Sequence, residues 1–151
     1  MELRWEWKGF NELTAEQMYT VLCVRQEVFV LEQECLYLDA DGKDRNSFHL
    51  MGFDGDELMA YARIVEPGIS YEEVSIGRIL SSKKARGTGA GVELMNQALS
   101  RIEDKYGKVL VRISAQSYLE KFYQKFGFEP TGKEYLEDEI PHMEMLRGVS
   151  T

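Results

Sequence analysis

Val74-Ser75-Ile76-Gly77-Arg78-Ile79-Leu80, then Ser81-Ser82-Lys83-Lys84-Ala85, then Arg86-Gly87-Thr88-Gly89-Ala90-Gly91, then Val92 to Tyr106 follow one another without interruption. The first run reads as a strand and the second as a basic polar bend. In the last, Met95, Ala98, Leu99, Ile102 and Tyr106 recur on one helical face, and Gly107 ends the helix. A strand, a glycine-rich turn and a helix start make an anion site. Glycines let several N–H groups converge on one phosphate, and the helix N-terminus adds free N–H groups and positive charge.

Outward from this stretch, Lys108 to Ala115 is the next strand, and after a helical crossover it is expected to run parallel to the first. A bulge in either strand would splay the pair and open a slot for an extended ligand arm. Ser117-Tyr118-Leu119-Glu120 matches a capping box opening a short helix. Glu129 to Gly132 and His142 to Leu146 complete the strands, separated by an acidic loop of Glu134, Glu137, Asp138 and Glu139.

Upstream, Leu3 to Lys8 alternates as a half-buried strand. Thr14 and Gln17 form a second capping box, and the helix carries Met18, Val21, Leu22, Arg25, Val28 and Phe29 on one face. Arg25 there either pairs with a carboxylate or shapes a pocket. The loop Glu32 to Asp44 holds Glu32, Glu34, Asp39, Asp41 and Asp44, which reads as a solvated loop or as a surface for a cationic ligand. Ser47 to Phe53 and Leu58 to Val65 are strands joined by a hairpin at Asp54-Gly55. An antiparallel meander thus precedes the glycine turn. That order excludes a dinucleotide-binding βαβ start, and the lack of Gly-Lys-Ser/Thr excludes a P-loop.

A net charge of −8 argues against nucleic acid as a partner. The local cluster Lys83, Lys84 and Arg86 runs against that charge beside the turn, where an anion would sit. No apolar run approaches the ~20 residues of a membrane span, and the first residues lack a signal-peptide layout, so a cytoplasmic location is expected. Cys23 and Cys35 are too few for a disulfide framework or a zinc site. No metal is expected.

Arg86, Gly89 and Gly91 make R-x-x-G-x-G, which resembles the acyl-CoA motif of the GCN5-related N-acetyltransferases. Phe122-Tyr123 with Gly127-Phe128 makes F-Y-x-x-x-G-F, a second signature of that family in the correct order. Arg25, Val28-Phe29-Val30, Glu32-Gln33, Tyr37, Asp39-Ala40-Asp41-Gly42, Ile76-Gly77-Arg78 and Ile140-Pro141-His142-Met143 resemble the ElaA-like group within it. Leu36 departs from that pattern, where proline is expected.

The resemblance implies one domain over residues 1–151. It implies an α+β, three-layer fold with a mixed, mostly antiparallel sheet of six or seven strands and splayed parallel strands 4 and 5. It implies acetyl-CoA as co-substrate and a small-molecule or peptide amine as acceptor. Dimers are common in the family, which leaves a homodimer open. Backbone N–H groups of Gly87, Thr88, Gly89, Ala90 and Gly91, with Arg86 beside them, are expected to take the pyrophosphate. Backbone at Ile79, Leu80 and Ser81, with Gln116, is expected to hold the pantetheine arm, and Tyr123 to protonate the leaving thiolate. Glu32, Asp39, His49, Glu72 and His142 are candidate bases that the sequence leaves unranked. Two other readings share the fold: an acyl-homoserine-lactone-synthase-like enzyme, for which a carrier-protein donor would not need the pyrophosphate turn, and a CoA-binding module without turnover.

Overall fold

A computed structural model describes residues 2–148. Met1 and the last three residues of the expected 1–151 domain lie outside them. Seven strands form one sheet: β1 (Arg4–Gly9), β2 (Ser47–Asp54), β3 (Glu57–Val65), β4 (Val74–Ser81), β5 (Val111–Gln116), β6 (Phe128–Glu137) and β7 (Ile140–Arg147). Their spatial order is β1-β2-β3-β4-β5-β7-β6, and every pair is antiparallel except β4 with β5. Helix α1 (Ala15–Arg25) continues as a π-helical segment, Gln26–Glu32. Helix α2 (Ala90–Tyr106) is the β4–β5 crossover, and α3 (Glu120–Gln124) follows β5. Among the described residues no helix is long and apolar enough to cross a membrane.

The helices divide the core. Leu94, Met95, Ala98 and Ile102 of α2 pack with Ala60, Ala62 and Ile64 of β3 and Val74 and Ile76 of β4. Val21 of α1 joins Met51, Tyr61 and Leu80 on the opposite face, with Met18, Val24, Val28 and Phe29 beside them. Side chains alternate across a strand, so each face of β3 feeds one helix.

Two contacts set α2 on the sheet. Trp5 of β1 donates from its indole to Glu93 of α2 at 2.6 Å. Its ring lies over Gly52, where any Cβ would come within 2.7 Å of it, so only glycine permits this approach. The Thr14–Gln17 capping box forms as expected: the Gln17 N–H donates to Thr14 Oγ1 and the Thr14 N–H to Gln17 Oε1, both at 3.0 Å.

Four local readings are corrected. The β2–β3 loop is Gly55-Asp56, because Asp54 already pairs with Glu57, and Gly55 takes the positive φ of 61° that the turn needs. Ser117 caps nothing. It lies in a 3₁₀ turn, Ser117–Leu119, one turn before α3 begins, and Glu120 accepts instead from Gln124 within the helix. Strand β6 continues past Gly132 to Glu137. Gly132, with φ of 96°, belongs to an irregularity between Pro130 and Glu134 rather than to the strand's end. The acidic residues Glu134 and Glu137 therefore lie on an edge strand, and the β6–β7 turn is only Asp138-Glu139. Leu94, fully buried in α2, lies beyond the narrow face read from the sequence.

Candidate active site

The β4–β5 pair is the feature that opens the sheet. Only Val74 with Val111 and Ser75 with Arg112 are in register. Beyond them, the β4 edge from Ile76 to Ser81 has no strand partner on the β5 side. The cause is a bulge on the other edge of β4. Arg63 of β3 opposes Gly77 and Tyr61 opposes Leu80, so β4 has one residue too many in that interval. Arg78 absorbs it with a left-handed φ of 48°. The bulge also reverses the alternation, which turns Leu80 into the core beneath α1.

A cleft of about 800 Å³ occupies the opening. Val28 and Phe29 wall it from the α1 side, and Leu119 and Tyr123 from the α3 side. Ile79, Leu80, Ser81, Arg86, Gln116 and Tyr123 all line it. Gly87, Thr88, Gly89, Ala90 and Gly91 are not in its walls; they continue from Arg86 at its rim. Gly87 and Gly89 have φ of 80° and 86°, a conformation that costs other L-residues about 1–2 kcal/mol. Among the described residues, the N–H groups of Gly87, Gly89, Ala90 and Gly91 have no backbone acceptor. They are the free donors of a helix start, available to an anion.

Arg86 orders this turn. Its guanidinium donates to the Ser81 carbonyl at 3.3 Å and to Glu32 at 2.6 Å. The hydrogen bond from Arg86 holds the Glu32 carboxyl below its usual range. Lys84 pairs with Glu57 at 3.0 Å and Lys83 lies 3.9 Å from Glu32, so each member of the basic cluster already faces an acid.

The phenol of Tyr123 is 6% exposed, and burial pushes its pKa up. A phenol held protonated in a cleft wall is a proton donor.

The acidic loop is not a free surface. Arg25 is fully buried and donates to Asp39 at 2.8 Å and Asp44 at 2.6 Å. Arg63 donates to Asp41 at 2.8 Å and Asp44 at 3.1 Å, and Arg78 to Asp39 at 2.9 Å. Burial alone would raise Asp44 and Asp41, but these guanidiniums hold both below the usual carboxylate range. Three arginines thus neutralise three aspartates. Arg25 takes the structural role, and Asp39, Asp41 and Asp44 are neutralised within the protein, while Glu34 is exposed with no charged partner among the described residues.

The five candidate bases separate. Asp39 is clamped by Arg25 and Arg78, and Glu32 by Arg86. His49 is buried and bonded at both nitrogens, to Tyr61 Oη at 2.7 Å and to the Asp44 carbonyl at 3.0 Å. Glu72 is exposed and outside the cleft. His142 lines it, with Nδ1 2.7 Å from the Ile140 carbonyl and Nε2 3.2 Å from Glu137. Sequence reading missed Glu137 and Asp138 as cleft residues; no local signal marks them, since only pairing of β6 with β7 brings them there. Cys35 lies against the Asp138 carbonyl at 3.5 Å, and burial with the charges of Asp138 and Glu139 pushes its thiol up, which leaves it a poor nucleophile. Among the described residues no group of three or more His, Cys, Asp or Glu is placed to hold a metal ion.

Residues 10–147 match the family model of the acetyltransferase (GNAT) domain. The chain is similar to a crystal structure of an acyl-CoA N-acyltransferase from Pseudomonas aeruginosa, at 40% identity and a TM-score of 0.93, covering 97% of this chain and 100% of that one. It is also similar to Escherichia coli ElaA, at 39% identity and a TM-score of 0.90, covering 96% and 99%. A CoA-dependent acyl-homoserine lactone synthase, BjaI, shares the fold alone, at 15% identity and a TM-score of 0.82, covering 98% and 84%. That synthase is itself CoA-dependent, so an intact pyrophosphate turn does not separate its reaction class from this one.

Proposed function

The chain belongs to the GNAT acetyltransferase family, whose members are acyl-CoA-dependent acyltransferases, and on that premise we propose that it transfers an acetyl group from acetyl-CoA to a primary amine. The observation that carries this reading is the cleft at the β4–β5 splay, with unpaired backbone on one wall and the Tyr123 phenol on another. Acetyl-CoA supplies the activated acyl group as a thioester. The residues present fit it. Free N–H groups of Gly87, Gly89, Ala90 and Gly91 meet the pyrophosphate at the rim; the Thr88 N–H is already given to the Ala85 carbonyl at 3.3 Å. The backbone of Ile79, unpaired toward β5, receives an amide-bearing arm as a missing strand would, with the Gln116 side chain beside it; Leu80 is already paired with Tyr61 of β3. Ser81 offers less, because Arg86 already occupies its carbonyl.

The chemistry needs no covalent enzyme intermediate. The amine attacks the thioester carbonyl directly while both substrates are bound. Preorganised backbone donors at the splay stabilise charge on the thioester oxygen, a role typically worth a few kcal/mol. Tyr123 gives its proton to the departing sulfur.

A thermal-shift titration tests the donor. Saturation to 100 times Kd adds about 2.7 kcal/mol to native stability if only the native state binds. A screen of primary amines with acetyl-CoA then tests turnover, with Tyr123→Phe expected to keep the shift and lose about 100-fold in kcat. Absence of any shift at millimolar acetyl-CoA would sink the reading.

A further inference from the structure

We propose that His142 is the general base of this reaction, and that Glu137 with it forms the seat for the acceptor's ammonium group. The proposal rests on the acyltransferase reading above and deepens it.

The imidazole has a defined polarity. Its Nδ1 lies 2.7 Å from the Ile140 carbonyl, which only accepts, so Nδ1 carries the hydrogen. The lone pair of the neutral ring is therefore at Nε2. That atom lies 3.2 Å from the Glu137 carboxylate, so in the neutral state two acceptors face each other and lack a donor between them. The ring is held in place: it stacks on Tyr135 at 6.2 Å and 17°, and the Tyr135 hydroxyl is bonded to Ser114. His142 is 8% exposed, lines the cleft, and sits opposite Gln116 in the β5–β7 register. Glu137 has 55% of its side chain exposed, so a ligand reaches it from solvent and meets the ring beside it.

Charge accounting points to the same place. Glu32 and Asp41, the other carboxylates placed in the cleft wall by the loop, are paired with Arg86 and Arg63. Among the described residues no Lys or Arg pairs with Glu137; its ion-pair-distance contact is the His142 ring, which is not a cation while neutral. The surroundings of the ring are Tyr135 on β6, Tyr71 near it, Asp138 and Glu139 in the turn, and Cys35 against Asp138. On β7 itself Glu144 is held by Arg112 of β5 at 2.9 Å, and Arg112 also holds Glu73. Lys133 of β6 lies over the Tyr135 ring at 5.9 Å and is not within ion-pair distance of Glu137, so the place beside Glu137 is left to a ligand cation.

An incoming ammonium donates one N–H to Glu137 and another to Nε2. Its proton passes to Nε2, and Glu137 stabilises the imidazolium. The amine nitrogen forms the new C–N bond as the C–S bond breaks. The sulfur takes the Tyr123 proton, and the phenolate takes the surplus proton from the new amide nitrogen. His142 returns its proton to water, so one proton is released per turnover.

The test uses two probe amines with acetyl-CoA and follows thiol release: benzylamine, an ammonium at neutral pH, and aniline, which is neutral there. His142→Gln is expected to lower kcat/KM for benzylamine about 100-fold and far less for aniline, which arrives already deprotonated. Glu137→Gln is expected to raise the KM for benzylamine about tenfold and to leave aniline unchanged. Equal losses on both amines, or no loss on benzylamine, would overturn the assignment. So would a wild-type protein that acetylates neither amine while acetyl-CoA still raises its melting temperature; that result removes the ammonium seat and leaves the donor reading standing. No stabilisation by acetyl-CoA removes both. An unchanged melting temperature of His142→Gln without ligand separates lost chemistry from lost folding.

Discussion

The Arg78 guanidinium donates from Nε to Asp39 Oδ1 at 2.9 Å, while the Arg78 backbone is held in the left-handed region at φ of 48°. The residue that makes the bulge is thereby anchored to the loop that covers it. The same side chain lies 5.4 Å over the Tyr37 ring and reaches the Asp39 carbonyl at 3.2 Å. Two replacements divide its roles. Arg78→Gly loses the anchor but accepts the positive φ; Arg78→Ala loses the anchor and keeps the strain. The alanine variant is expected to be less stable than the glycine variant by about 1 kcal/mol, read from urea midpoints.

Arg25 binds the same carboxylate from inside. Removing a partner from a buried ion pair leaves the other charges uncompensated, a loss of about 3–5 kcal/mol. Arg25→Ala is expected to fall in that range by chemical denaturation, because Asp39 and Asp44 would both lose a buried donor.

Acid should weaken the fold in two stages. Burial depresses the His49 pKa below its ordinary value near 6.5, so it folds neutral while the unfolded chain gains a proton. Stability is full above about pH 6.5 and falls as pH drops through that value. Asp41 and Asp44 are depressed as well, so their contribution is present above about pH 4 and is lost below it. Denaturant midpoints from pH 8 to 3 are expected to show both limbs, and His49→Gln to remove the upper one.

The glycine turn offers a contrast within three residues. Gly89 has φ of 86° and cannot take a side chain without strain of about 1–2 kcal/mol. Gly91 has no positive φ, and an added Cβ would sit 3.8 Å from Phe122, an ordinary contact. Gly91→Ala is expected to fold at least as well as the wild type, so any loss of its acetyl-CoA thermal shift reports a blocked ligand path rather than a damaged protein. Gly89→Ala is expected to lose both stability and the shift.

Capping gives a matched pair. Thr14→Ala should cost about 1 kcal/mol, since its hydroxyl takes the Gln17 N–H. Ser117→Ala should change the melting temperature very little, because no cap bond exists there to lose.

These cases mark how legible the chain was. The Thr14 box and the Ser117 box look alike as four-residue patterns. Only the first is followed by a helix long enough to use it; the second meets a 3₁₀ turn that the packing of α3 imposes. The acidic loop likewise reads as a surface feature, because Arg25, Arg63 and Arg78 lie on three separate elements and nothing in the spacing joins them to Asp39, Asp41 and Asp44. Periodicity missed Leu94 for a simpler reason: α2 lies so flat against the sheet that its buried stripe is wider than one row.

By itself the sequence determined the strands and helices near the glycine turn, the parallel crossover, and the two motifs that identify the family. Those are local properties: hydrophobic period, glycine at positive φ, and motif order are written along the chain. The tertiary structure alone decided which charges remain available. It neutralised the 39–44 loop, buried His49 between two partners, and left His142 facing Glu137 in the cleft. Reactivity of a titratable group depends on what surrounds it in space, and those neighbours come from strands that meet only when the sheet closes.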